Sequence, residues 1–265
     1  MNLLTNWTKF EKVWLAVFSV LIMGSTIFFS WSGTDYSDAH SILLNWVISP
    51  ISAMTGIVCV ILVAKGKISN YLWGTINCVT YGYVAYYAGY YGDMIINVFY
   101  ILPFQLIGWY YWQKNLKKES NEDVIMLKMS PLQLIITVVV GVAGTVLIAF
   151  GLFSVDHWFV NYMKRNVSIY EYIDRVTGIK LLGSLGDAST EVLQIVAQIL
   201  MTLRYAEQWI LWIATNVITI GMWSTVLIAD KTSASWVVPT ILMWVAYLVN
   251  SVYGLVEWYK GAKNV

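Results

Sequence analysis

A chain of 265 residues with 58% hydrophobic and only 12% charged side chains is not built for water, because soluble domains carry roughly 25% charged residues. Sixteen Lys and Arg against fifteen Asp and Glu leave a net charge of +1, which excludes a nucleic-acid binder and a strongly acidic or basic surface reader. Cys59 and Cys78 both lie in apolar runs, so neither a disulfide framework nor a Cys-based metal site is expected.

The composition predicts an all-α membrane protein. A hydrocarbon core of about 30 Å takes roughly 20 apolar residues per helix, and eight such runs follow one another: 13–31, 40–64, 71–90, 94–112, 131–153, 187–203, 209–229 and 236–259. The first exceeds a typical signal-peptide core and has no small-residue cleavage site after it, so it reads as a true span. Pro50, Pro103 and Pro239 are expected to interrupt their helices. With the N-terminus inside, eleven of the sixteen basic residues fall in cytoplasmic segments, Lys65, Lys67, Lys114 and Arg204 among them. Four of the other five lie in one long loop, 154–186, where charge has least effect on orientation, so both termini are expected in the cytoplasm. The Asn166-Val-Ser168 sequon in that loop reads as chance.

Leu72-Trp73-x-x-x-Asn77-x-x-Thr80-x-Gly82 returns, 139 residues on, as Leu211-Trp212-x-x-x-Asn216-x-x-Thr219-x-Gly221. The third and seventh runs are then the middle helices of two three-helix units. One linker helix between the units makes the repeat parallel, with its axis along the membrane normal. The expected organisation is an N-terminal segment with an extra helix (1–36), a first unit (37–113), a linker region (114–186) and a second unit with the C-terminal tail (187–265). In the last helices of the units, Trp109 matches Trp258 at one shift, and Asn97 with Tyr100 matches Asn250 with Tyr253 at another. Such repeats carry solute near the midplane between the units. Positions four apart share a helix face, so Trp73 with Asn77, and Trp212 with Asn216, offer an indole and an amide from either side. Asn as an interhelical polar contact and Trp as core filling are the plainer alternatives.

The stretches Lys67-Ile-Ser-Asn-Tyr-Leu-Trp73-Gly-x-Ile-Asn77, Gly108-Trp-Tyr-Tyr-Trp112 and Ile199-Leu-Met-Thr202-x-Arg204-Tyr-x-Glu207-x-Trp209-x-Leu-Trp212-x-x-x-Asn216 resemble the PnuC family of nicotinamide riboside transporters. The resemblance runs from about His40 to Trp258. It implies a SWEET-like fold, a bacterial inner-membrane location, facilitated diffusion, a homotrimer and an intracellular kinase that phosphorylates the riboside after uptake. Nicotinamide riboside carries a pyridinium charge, a carboxamide and ribose hydroxyls, which call for π-faces and amides. Trp73, Trp212, Tyr100, Tyr253, Asn77, Asn216, Gln105, Gln194, Gln198 and Asn250 are the embedded candidates. No Lys or Arg falls at mid-depth to hold a phosphate, so the mononucleotide is disfavoured, while a sugar or another nucleoside stays open.

Asp93 and Glu257 read as structural or interfacial; Asp187 and Glu191 share a face near the outer mouth and can attract a cation. With no carboxylate expected at mid-depth, passive flux is the simpler expectation. No cofactor, metal or catalytic residue is expected. His40, the first residue of its run, and His157, the two histidines, are both expected outside the membrane, and no HExxH or GxSxG occurs, which disfavours an enzyme. A non-transport membrane subunit, using 154–186 to recruit a partner, is the other alternative.

Overall fold

The computed structural model describes residues 7–118, 122–144, 147, 169–180 and 182–264. Nine helices occur among them: α1 (Lys9–Gly33), α2 (Ala39–Ala64), α3 (Asn70–Ala88), α4 (Tyr91–Gln113), α5 (Pro131–Gly144), α6 (Ile169–Thr177), α7 (Leu182–Thr202), α8 (Gln208–Ala229) and α9 (Ala234–Gly261). Five are long and apolar enough to cross a membrane: α1, α2, α4, α8, and α9 with the turn before it.

Local chemistry sets the ends. Thr8 and Glu11 form a reciprocal capping box at the start of α1, with Glu11 N–H to Thr8 Oγ1 at 3.2 Å and Thr8 N–H to Glu11 Oε2 at 2.7 Å. Asp38 accepts from the backbone N–H groups of His40 and Ser41 to open α2, and Gly89, left-handed at φ 90°, closes α3. Pro50 and Pro103 do not break their helices. A π-helical turn precedes each, Leu44–Ile48 in α2 and Ile96–Ile101 in α4. The wider turn relieves the clash of the proline ring with the carbonyl four residues back, and the helix continues.

The helices leave apolar side chains such as Val20, Phe28, Phe99, Leu106, Leu132 and Val139 exposed over their outer faces. Such a surface suits lipid and would aggregate in water. Buried hydrophobic side chains gather instead in three clusters, the first around Ile57, Tyr81, Trp223 and Trp244, the second around Tyr71, Trp112, Trp209 and Trp258, and a small third of Cys78, Ile96 and Ile101.

The start of α7 differs from the expected 187, because Leu182 already begins the helix, its turn stabilised by Gly183 N–H donating to Asp174 Oδ1 at 2.9 Å. The expected loop 154–186 also contains α6, whose Ile173 is buried. The far part of the expected span 131–153, apart from Leu147, and the sequon at Asn166 lie outside the described residues.

The turns before α3 and α8 share one backbone path, 138 residues apart. Gly66 and Arg204 both take positive φ, 68° and 69°. Asn70 Nδ2 donates back to Lys67 O at 2.6 Å, as Gln208 Nε2 does to Tyr205 O at 3.2 Å. A strap, 122–129, joins both turns: Val124 N–H donates to Gly66 O and Leu127 N–H to Arg204 O, while Leu127 O accepts from Ala206 N–H. The strap also pairs with the C-terminal end through β1 (Leu127–Lys128) and β2 (Lys263–Asn264), which are parallel. Burial alone would lower the pKa of Lys67 in the first turn, but Asp123 of the strap at 2.7 Å and Glu122 at 3.3 Å more than offset it and hold it above the ordinary lysine value.

Candidate functional site

A cavity of about 740 Å³, counted to its open edges, lies between α2, α3 and α4 on one side and α7, α8 and α9 on the other. Its lining residues correspond in sequence. Gly74 and Cys78 of α3, and Trp212 and Asn216 of α8, line it at the same 138-residue shift as the turns. Asn97, Ile101 and Gln105 of α4, and Met243, Tyr247 and Ser251 of α9, line it too, at a common shift of 146. Gln194 and Gln198, one turn apart on α7, complete the polar lining.

Six of the ten candidates from the sequence line this cavity: Asn77, Gln105, Gln194, Gln198, Trp212 and Asn216. The other four lie elsewhere. Trp73 packs against the first aromatic cluster, because the one-residue difference between motif and turn rotates it away and leaves Gly74 facing the cavity. A Cβ on Gly74 would stand 2.5 Å from Gln105 Oε1 and 3.2 Å from Cys59 Sγ, so a side chain there would push the end of Gln105 aside. Asn250 donates to Val60 O at 2.8 Å, Tyr253 to Glu11 Oε1 at 2.8 Å and Tyr100 to Ile195 O at 3.2 Å, each binding one element to another. Sequence reading passed over Cys78, Tyr81, Trp209, Trp244 and Tyr247. Tyr81 has no motif to mark it, Trp209 stands in the family motif but not in the repeat, and aromatic residues in apolar runs look like filling.

Several lining residues present polar atoms with no hydrogen-bond partner: Gln105 Oε1, Gln198 Nε2, Trp209 Nε1, Asn216 Oδ1 and Trp244 Nε1. Buried polar atoms are nearly always satisfied, so two acceptors and three donors around one space describe a site that takes a hydrogen-bonding guest. Asn77 differs, since its amide already donates to Ser52 O at 2.8 Å and accepts from Tyr247 Oη at 3.4 Å. No Lys, Arg, Asp or Glu is among the lining residues.

Aromatic layers close both ends. Toward the strap, Trp112 Nε1 donates to Met201 O at 2.9 Å and Trp258 Nε1 to Val63 O at 3.0 Å, so α4 bonds to α7 and α9 to α2. Tyr71 stacks edge-on against Trp112, and Trp209 against Trp258. Neither shift read from the sequence for these helices places Trp112 with Trp258. Trp109, matched there to Trp258, is exposed instead. At the other end, Trp223 Nε1 donates to Tyr81 Oη at 3.1 Å, and Tyr81 packs on Trp244 with ring centroids 5.5 Å apart.

Behind Tyr81 lies the largest departure from expectation. Asp93, Asp187 and Glu191 are buried together, with one oxygen of each within 4.8 Å of the others. Glu191 follows Leu182 by nine residues in a 21-residue helix, about 13 Å along its axis at roughly 1.5 Å per residue, near its middle. Two ionised carboxylates at this spacing repel by roughly 3 kcal/mol even at an effective dielectric constant of about 20. The early start of α7 draws these acids inward.

A sequence model of the family described as nicotinamide mononucleotide transporter matches residues 45–260. The nicotinamide riboside transporter PnuC of Neisseria mucosa is 34% identical over 99% of this chain and 86% of that protein, and its counterpart from Haemophilus influenzae is 33% identical over 98% and 94%. The crystal structure of the vitamin B3 transporter PnuC superposes with a TM-score of 0.72 at 33% identity, covering 98% of this chain and 94% of that one. These relatives are transporters, not enzymes. Together with its apolar helices, this makes the chain a multi-pass membrane protein of the nicotinamide mononucleotide transporter family, to which the PnuC proteins also belong.

Proposed function

We propose that this chain carries nicotinamide riboside across a bacterial inner membrane by facilitated diffusion, binding it in the cavity between two parallel three-helix units. The observation that carries the reading is the lining: Trp212 supplies a π-face for a pyridinium, and the unpartnered amide atoms Gln105 Oε1, Gln198 Nε2 and Asn216 Oδ1 suit a carboxamide and ribose hydroxyls. The reciprocal bonds of Trp112 and Trp258 support a two-unit arrangement of eight spans, with α5 in the linker. The lining holds no cation for a phosphate, which favours the riboside over the mononucleotide. None of the three buried carboxylates lines the cavity, in keeping with passive flux followed by intracellular phosphorylation. The basic residues around the strap turns favour cytoplasmic termini. The homotrimer that the family resemblance implies is part of the same proposal.

Thermal shift of the purified protein against nicotinamide riboside, nicotinamide, the mononucleotide and a sugar tests the substrate. Stabilisation by the riboside well above the others is expected, and equal stabilisation by the mononucleotide would overturn the reading. In proteoliposomes clamped at zero potential, labelled riboside should equilibrate and go no further, with or without a proton or sodium gradient. Accumulation would reject facilitated diffusion. A cysteine at Asn115 should be shielded from an impermeant thiol reagent in intact cells, and one at Lys231 should react; the reverse would invert the orientation.

A further inference from the structure

A second recess, of about 940 Å³ counted to its open edges, lies at the strap end, lined by Lys65, Lys67, Lys117, Asp123, Glu257 and Met126 among others. Met126 of the strap has two neighbours of different kinds. It stands in the wall of this polar recess, and together with the fully buried Val124 it packs into the aromatic layer of Tyr71, Trp112, Trp209 and Trp258. Cys59 packs against the same layer, and both Cys59 and Trp209 line the candidate site. The strap therefore sets two apolar side chains between the cavity and a charged opening. Glycines form their seat. A Cβ on Gly66 would stand 2.9 Å from Met126 Cε and 3.5 Å from Val124 Cγ1, and one on Gly261 would stand 3.3 Å from Met126 Sδ, so the turn before α3 and the last residue of α9 hold Met126 between them.

The fastenings of the strap lie on either side of this plug. Toward the turn before α3, Ile68 N–H donates to Glu122 O at 3.0 Å and Val124 N–H to Gly66 O at 2.9 Å, and Lys67 pairs with Glu122 and Asp123. Toward the turn before α8, Leu127 N–H donates to Arg204 O at 2.8 Å and Arg204 Nη1 to Ile125 O at 3.1 Å. Ion pairs that are partly exposed, as those of Lys67 are, contribute little each and part easily. An unbranched thioether leaves and refills a gap more readily than an indole fixed through its N–H, as Trp112 and Trp258 are. We propose that the strap is the lid of the transport path at this end and that Met126 is its plug: solute passes between cavity and recess only when Val124 and Met126 leave the aromatic layer. The inference rests on the cavity being the transport site and adds which segment shuts it on one side.

Cys59 and Cys78, the two cysteines of the chain, both line the cavity and so report access to it. Their labelling by an impermeant quaternary-ammonium methanethiosulfonate is followed by intact mass in membrane vesicles of either orientation. Met126→Ala and Val124→Ala should each raise the labelling rate severalfold from the strap side and leave it unchanged from the other. Met126→Leu, which keeps the volume, should label like the wild type. An unchanged strap-side rate in the folded double alanine variant overturns the proposal. So does an equal rise from both sides, which would mean general loosening. A second measurement locks the lid. Lys67 with Asp123, and Leu127 with Tyr205, are bridge partners on opposite sides of the plug, close enough for disulfides. The K67C/D123C/L127C/Y205C variant, oxidised, should still bind nicotinamide riboside but lose most of its flux in proteoliposomes and regain it on reduction, while oxidised wild type keeps its flux. Undiminished flux after complete cross-linking overturns the lid. If the wild type neither binds nor carries the riboside, the transport reading fails, and the labelling rates still decide whether the strap shuts the cavity.

Discussion

Helices α3 and α8 carry the same Leu-Trp-x-x-x-Asn-x-x-Thr-x-Gly motif and use it differently. Trp212 and Asn216 both face the cavity, whereas Trp73 faces the aromatic core and Asn77 reaches the cavity with its amide already bonded to Ser52 and Tyr247. The turns that launch the two helices correspond at a shift of 138, one less than the motif, and one residue is about 100° of helix. Identity of letters therefore does not guarantee identity of face. At the shift of the turns Trp212 corresponds to Gly74, so a large ring and a bare backbone hold matching places in the cavity lining, and the space beside Gly74 is taken by Gln105 and Cys59.

The largest expected effect comes from filling the small side of that pair. Gly74→Leu forces a side chain into Gln105 and Cys59, and overpacking of this kind costs about 1–3 kcal/mol. A lowered Tm with riboside binding abolished is expected. If the variant melted and bound like the wild type, the space between Gly74, Gln105 and Cys59 would not be needed for binding.

Next come the two tryptophans. Trp212→Ala should weaken riboside binding by a few-fold to about thirtyfold, the range of a cation–π contact of about 0.5–2 kcal/mol. Trp73→Ala should leave affinity within about twofold and lower thermal stability instead. Equal losses of affinity by calorimetry would restore the symmetric reading of the motif. The asparagines sharpen the same contrast through their oxygens: each amide nitrogen bonds to another helix, Asn216 Nδ2 to Ser251 Oγ at 2.9 Å and Asn77 Nδ2 to Ser52 O at 2.8 Å, but only Asn216 Oδ1 is unpartnered. Asn216→Ala should therefore lower both affinity and Tm, and Asn77→Ala mainly Tm, each by about 1 kcal/mol.

The smallest effect, and the one in which the halves should behave alike, is at the strap end. Trp112→Phe and Trp258→Phe each delete one buried N–H bond to the opposite half, and each should cost about 1 kcal/mol in a denaturation midpoint series. A cost confined to one of them would show that the two halves do not close reciprocally.

Much of the candidate site was legible, because amides embedded in apolar runs are expensive and so conspicuous: Gln105, Gln194, Gln198 and Asn216 all reach the cavity. Asn250 was equally conspicuous and serves to bond α9 to Val60. An amide that joins helices and one that meets a solute have the same letter and the same cost, and only the location of its partner separates them. The acidic cluster was not legible as a cluster. Asp93 opens α4 and looked peripheral, and Asp187 and Glu191 looked close to a helix start until α7 was found to begin at Leu182.

By itself the sequence determined the environment of this protein, its helical class and its family, since apolar run length, charge scarcity and rare Trp and Asn registers are properties of the chain before it folds. The tertiary structure alone decided which face of each helix meets the cavity, which amides remain unpartnered, and that three acids distant in the chain share one buried space. The physical reason is angular. Facing depends on where a helix begins and how its turn enters it, and one residue of difference there turns a side chain through about 100° and exchanges a solute for a neighbouring helix.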